Sequence, residues 1–267
     1  MDKTYRKLIE DIKVQEEKLA DKSMLPIYAE QKVALDKLHS LLGKLYIEHG
    51  INGLLKININ DTNIKSILKT MGKELGTSEV EKVTSILSTV YSDTYYKNAF
   101  TMNSGLKVAL KFNILKKENV DAAVNAKYKG DLFSDRIWTN KADMIDELQS
   151  KLIEATKGNT TIDIIGKQIK DIFNVTAYES SRLVNTENAR VQSQANDDIG
   201  TNIGVDQQLY SATLDNKTSS ECASDDGKIW SIDDPEKVTP PENHPNCRCC
   251  LINVPYRSEE HTSELQS

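Results

Sequence analysis

Apolar residues recur at helical spacing along most of the chain. Tyr5, Leu8, Ile9, Ile12 and Leu19 stand among Lys and Glu at such intervals, which predicts an amphipathic helix over residues 3–21. A second helix starts at Pro26. Leu35, Leu38, Leu42 and Leu45 mark its apolar face, and Gly50 with Asn52-Gly53 closes it. Residues 54–60 alternate and read as a short strand or an extended connector. Asn63–Leu75 and Glu79–Tyr96 read as two helices. Gly76-Thr77-Ser78 separates them, and Ser78 with Glu81 offers a capping box for the second. Tyr91, Tyr95 and Tyr96 are expected to anchor packing. Through Val108, Leu110, Phe112 and Ile114 the pattern fits either a strand or a helix. Val120–Tyr128 is a short Ala-rich helix closed by Gly130.

The pattern sharpens from Asp131. A helix over residues 139–157 carries Ile145, Leu148 and Leu152 on one face and stops at Gly158. Asn159-Thr160-Thr161 caps the next, whose stripe is Ile164, Ile165, Ile169, Ile172 and Phe173. A third runs from Ala177 to Ile199, with Gly200 and Gly204 ending it. Residues 205–215 and Leu251–Val254 are expected to be partner strands. Between them, Pro235, Pro240, Pro241 and Pro245 forbid a long helix, so Asp215–Cys250 reads as an irregular loop whose ends the strands join. The expected fold class is α+β, predominantly α-helical: a helical N-terminal half, then a helical domain with a small β-element and a Cys/His-containing loop. The expected division is 1–130, 131–256 and a polar tail, 257–267. That tail, which includes His261, has no core pattern and reads as non-native.

Composition narrows the function classes. The chain has 267 residues, 28% of them charged and only 6% aromatic, which favours helical packing over a β-sandwich. A net charge of −6 disfavours a globally basic nucleic-acid binder, because phosphate neutralisation needs a Lys/Arg surplus at the contact. The first residues lack the apolar core of a secretory signal, and no apolar run reaches the ~18 residues of a membrane span. All four cysteines follow residue 221, which fits a metal site or free thiols in a reducing compartment better than a disulfide framework.

The chemistry concentrates at Cys222, His244, Cys247, Cys249 and Cys250. One distant Cys, one His and two further Cys would meet the four-ligand need of structural zinc, with Cys222, His244, Cys247 and Cys249 as ligands. The Cys247-x-Cys249 spacing is tight, and free, partly buried thiols docking the loop remain the alternative. Cys222 or Cys247 with His244 and Asp215 could form a nucleophilic arrangement, but no clear base–orienter pair accompanies them. The zinc-deaminase pattern fails, since the cysteines follow Pro-Asn and stand one residue apart. No glycine-rich phosphate loop is present. Asp225-Asp226-Gly227 offers a turn rather than a calcium loop. No enzymatic activity is expected. His39 and His49 read as ordinary polar positions. On the Ala177–Ile199 helix, Arg182, Glu187 and Arg190 include an i,i+3 pair. It is either a surface ion pair or a buried tie from helix to loop.

Several pieces in order carry a resemblance: Arg136-Ile137-Trp138-Thr139-Asn140; Arg182-Leu183 with Asn185-Thr186-Glu187; Thr213-Leu214-Asp215 with Thr218-Ser219; Cys222; Asp226-Gly227-Lys228; and His244-Pro245-Asn246-Cys247-Arg248-Cys249. From about Leu132 to Val254 the chain resembles the phage head morphogenesis family, the minor head proteins similar to protein F of phage Mu. The resemblance implies motif or structural roles for Arg136, Trp138, Glu187, Asp215, Thr218, Gly227, Pro245 and Arg248. Two departures stand out. Lys217 replaces a frequent Arg, putting in doubt any bidentate grip there, and Leu209-Tyr210 stands where a Trp is common. The implied role is a structural component of a phage or prophage head, present in few copies, with the portal protein and capsid or scaffold proteins as partners. Its implied location is the virion, in the capsid interior or at the portal, and the host cytoplasm during assembly. The alternative is a DNA-binding factor assisting genome packaging or ejection. No cofactor is required beyond the candidate structural zinc, and no membrane partner is expected.

Overall fold

The computed structural model describes residues 3–58, 63–106 and 111–254. It is mostly helical with two small antiparallel sheets, in the order α1 Lys3–Ser23, α2 Leu25–His49, β1 Gly50–Ile51, β2 Leu54–Lys56, α3 Ile64–Leu106, α4 Lys117–Val124, α5 Phe133–Thr156, β3 Lys157–Thr161, α6 Ile162–Ile203, β4 Gln207–Ser211, α7 Ser220–Asp225, β5 Ile229–Ser231 and β6 Cys250–Val254. The α+β, predominantly α-helical class holds. The expected residues 59–60, Val108 and Leu110, and the 257–267 tail lie outside the described residues.

The chain forms two compact units, each drawn from separate stretches: the described residues within Met1–Ala20, Leu87–Val124 and Asn185–Ser267, and those within Asp21–Ile86 and Asn125–Val184. Neither is continuous along the chain.

The second unit packs Leu38, Leu42 and Leu45 of α2, Leu68, Met71 and Leu75 of α3, Leu148 and Leu152 of α5, and Ile165, Ile169 and Phe173 of α6 into one core. Beside that core, Asn52 and Gly53, both at positive φ, make the tight hairpin turn between β1 and β2. The expected break at Gly76-Thr77-Ser78 does not exist; α3 runs straight through it. A Cβ at Gly72 would lie 2.6 Å from Ile145, and one at Gly76 would lie 2.4 Å from the Trp138 ring. These glycines therefore admit α5 against α3 rather than ending a helix. Ser78 is no cap; its hydroxyl donates to Glu30, 2.7 Å away.

Four further expectations are corrected. First, α5 starts at Phe133, ahead of residue 139, because Asp135 accepts from the Leu132 N–H at its N-terminus. Second, Asn159-Thr160-Thr161 is not a cap but part of β3, paired with β2. Third, the helices expected around Ile164 and from Ala177 are one helix, α6. Last, Gly204, at φ +75°, ends α6, whereas Gly200 lies inside it: a Cβ there would meet Asn253 at 2.7 Å.

The first unit is built on the sheet β5-β4-β6. Strand β4 pairs antiparallel with β6, Ser211 opposite Cys250 through Gln207 opposite Val254. Alternation along the strands sorts side chains to two faces. Leu209, Cys250 and Ile252 pack with Tyr5, Ile9 and Ile12 of α1. Tyr210, Cys249 and Leu251 turn to the other face with Cys222 and Cys247. The polar residues of α6 serve the sheet: Asn196 donates to the Leu251 carbonyl and accepts Asn253's backing bond on its own carbonyl.

Candidate metal centre

The loop between β4 and β6 is less irregular than its prolines suggest. It contains α7 and β5, since Ser219 caps α7 by accepting from the Cys222 N–H at 3.2 Å, and β5 pairs with β4. The cap fixes Cys222 on the first turn of α7. Gly227, at φ +81°, turns the chain into β5 while its N–H donates to the Tyr210 carbonyl.

Asp215 and Arg248 close the loop's base. One Asp215 carboxylate oxygen accepts from Arg248 Nη2 at 2.6 Å and from the Lys217 N–H at 2.8 Å. The Arg248 guanidinium holds this carboxyl well below the usual carboxylate range. Thr218 accepts from the Asp215 N–H and donates to the Thr213 carbonyl, locking the Asp-x-x-Thr turn. Lys217 contributes its backbone N–H, and Arg248 binds the same Asp215 oxygen through one nitrogen, not as a bidentate pair.

Cys222, His244 and Cys247 come together with their ligand atoms within 4.8 Å of one another, a set able to hold a metal ion. Cys222 Sγ lies 3.1 Å from His244 Nε2 and 3.7 Å from Cys247 Sγ. Pro245 supports the imidazole: its carbonyl lies 3.0 Å from His244 Nδ1. Asn246, at φ 62°, turns its N–H onto the Thr186 hydroxyl of α6 at 2.9 Å. Cys249 is outside that close set; its thiol is shifted down by interaction with the Cys247 thiol, which is pushed up in turn. Cys250 faces the other way, and burial pushes its thiol up to about 12.

Two participants escaped the sequence reading. The Tyr210 hydroxyl donates to Cys222 Sγ at 3.3 Å, and burial drives its phenol far above the ordinary range. Asn243 donates to Asp225 at 3.3 Å and reaches Cys222 Sγ at 3.6 Å. The signal for Tyr210 was the strand alternation, which puts it on the same face as Leu251.

The remaining predicted residues are elsewhere. Arg136 stacks on Tyr128, 4.9 Å from the ring centroid, and donates to its carbonyl. Trp138 lies against Gly76. Glu187 is buried and binds Arg190 Nε at 2.6 Å; Arg190 in turn donates to the carbonyls of Ala123 and Val124. The pair is buried, as one of the two readings expected, and through Arg190 it ties α6 to the end of α4.

A curated relative from Haemophilus influenzae, described as an uncharacterized protein, is 21% identical over 201 residues, which is 73% of this chain. The match takes in 44% of that relative, so the chain spans less than half of its length. No solved structure matches. Residues 146–252, which include the whole Cys/His cluster and strands β4 and β5, match the family model described as Phage Mu protein F like protein.

Proposed function

We propose that the protein is a minor component of a phage head, acting in head morphogenesis through association with the portal and procapsid. The match of residues 146–252 to the Mu F-like family carries this reading. The motif pieces support it: Asp215, Thr218, Gly227, Pro245 and Arg248 make the contacts and the turn that shape the loop rather than lining an open cleft of their own. A net charge of −6 favours protein partners over a phosphate backbone. Among the described residues no helix is long and apolar enough to cross a membrane. The place of action is the virion, after assembly in the host cytoplasm.

The test is co-expression with the portal and scaffold proteins of the same phage or prophage, followed by mass spectrometry of purified procapsids and virions. A few copies per particle, with co-purification on the portal, is the expected result. Absence from both particles would sink the proposal. Steeply salt-dependent DNA binding without portal binding would transfer the role to genome packaging or ejection.

A further inference from the structure

We propose that Cys222, His244, Cys247 and Cys249 bind one zinc ion in a closed, tetrahedral structural site.

The two separations from Cys222 fit that geometry. Two thiolates bound to tetrahedral zinc at ~2.3 Å stand about 3.8 Å apart. Cys222 Sγ and Cys247 Sγ are 3.7 Å apart. A thiolate and an imidazole nitrogen on the same ion stand about 3.6 Å apart. His244 Nε2 is 3.1 Å from Cys222 Sγ, so ligation needs a widening of only a few tenths of an ångström there.

The imidazole is oriented as a ligand. Its Nε2 faces the sulfurs while Nδ1 lies 3.0 Å from the Pro245 carbonyl. Metal-bound histidines have this arrangement, one nitrogen on the ion and the other N–H donating to a carbonyl, which fixes the tautomer.

Strand geometry selects the fourth ligand. Neighbouring residues at the start of β6 point to opposite faces. Cys249 clusters with Cys222, Cys247 and Tyr210, whereas Cys250 clusters with Tyr5, Ile9 and Ile12. Cys249 is therefore available to the ion and Cys250 is not. The three thiol ligands are 1%, 2% and 4% exposed for Cys222, Cys247 and Cys249. With all four positions taken by protein, no place is left for a water or substrate, which separates a structural site from a catalytic one. On binding, the thiols that are still protonated release their protons to solvent. The ion would join α7, the His244–Cys247 turn and the head of β6.

The full chain, purified under reducing conditions without chelator, should contain about one zinc per chain by elemental analysis. Cobalt exchanged into the site should give tetrahedral ligand-field bands and a thiolate-to-cobalt charge-transfer band. Cys250→Ala should leave both unchanged. Cys249→Ala should weaken cobalt binding at least about tenfold and lower the charge-transfer intensity by roughly a third, as one of three thiolates goes. A wild-type chain that takes up neither zinc nor cobalt overturns the proposal, whether its thiols are free or Cys222 and Cys247 are joined as a disulfide. An unchanged cobalt spectrum in Cys249→Ala overturns the fourth ligand. The wild-type measurement stands even where a variant fails to fold.

Discussion

The Glu187 carboxylate is fully buried, and its partner Arg190 is nearly so. Arg190 spends three donors on Glu187 and on the last carbonyls of α4, Ala123 and Val124. Those carbonyls have no partner within their own helix, and a cation there also suits the negative end of the helix dipole. Removing the carboxylate strands a buried guanidinium, so Glu187→Ala should cost about 3–5 kcal/mol. The isosteric Glu187→Gln keeps an acceptor and should cost less. Urea unfolding midpoints of the two variants measure this, and an alanine variant within error of wild type would show that the pair is dispensable. The sequence spacing announced the pair but could not reveal its burial or its target, because Ala123 and Val124 are more than sixty residues away. Asp215, Thr218 and Arg248 were legible as a motif for the opposite reason. Asp215 and Thr218 meet within one local turn, and only the Arg248 contact needed the fold.

Helices were easy to place and hard to delimit. Their apolar stripes were visible, but glycine carries two meanings that a sequence cannot separate: a break, or a place where another element comes close. Gly72 and Gly76 have the second meaning, as the notch on α3 into which Ile145 and Trp138 of α5 fit. Gly43, on the exposed side of α2, has nothing within 4 Å of a would-be Cβ. The two sites should respond with opposite signs. Gly43→Ala gains helix propensity without a clash and should raise stability by about 0.5–1 kcal/mol. Gly76→Ala gains the same propensity but drives a methyl into the indole, and overpacking of this kind costs about 1–3 kcal/mol. Pairing Gly76→Ala with Trp138→Leu should recover part of that loss. Thermal melts of the four proteins decide the matter, and a stabilised Gly76→Ala would mean that Trp138 swings aside freely. Strand β3 was missed for a related reason. Asn159, Thr160 and Thr161 are good caps by composition, and only pairing with β2 makes them a strand.

At the scale of the molecule, each unit has its own core, sheet and buried charge, while α3 and α6 each belong in part to both. Stability can therefore be lowered in one unit without a matching loss in the other, because local opening follows the contacts of the opened region. Lys141 and Glu79 provide the lever. Their side chains are 2% and 3% exposed, with Nζ 2.6 Å from the carboxylate, and both lie in the unit built on α2, α5 and β1–β3. Lys141→Ala leaves the Glu79 carboxylate buried without its counter-charge, a change that costs about 3–5 kcal/mol. Hydrogen exchange should then accelerate at the β2 and β3 amides and along α5, with the β4 and β6 amides keeping wild-type protection. Removing the proposed zinc with a chelator should produce the reverse pattern, with exchange rising around α7 and the head of β6. Equal acceleration of both sheets by Lys141→Ala would show that the two cores unfold as one cooperative body, and that the interleaved path of the chain couples what their separate packing suggests is independent.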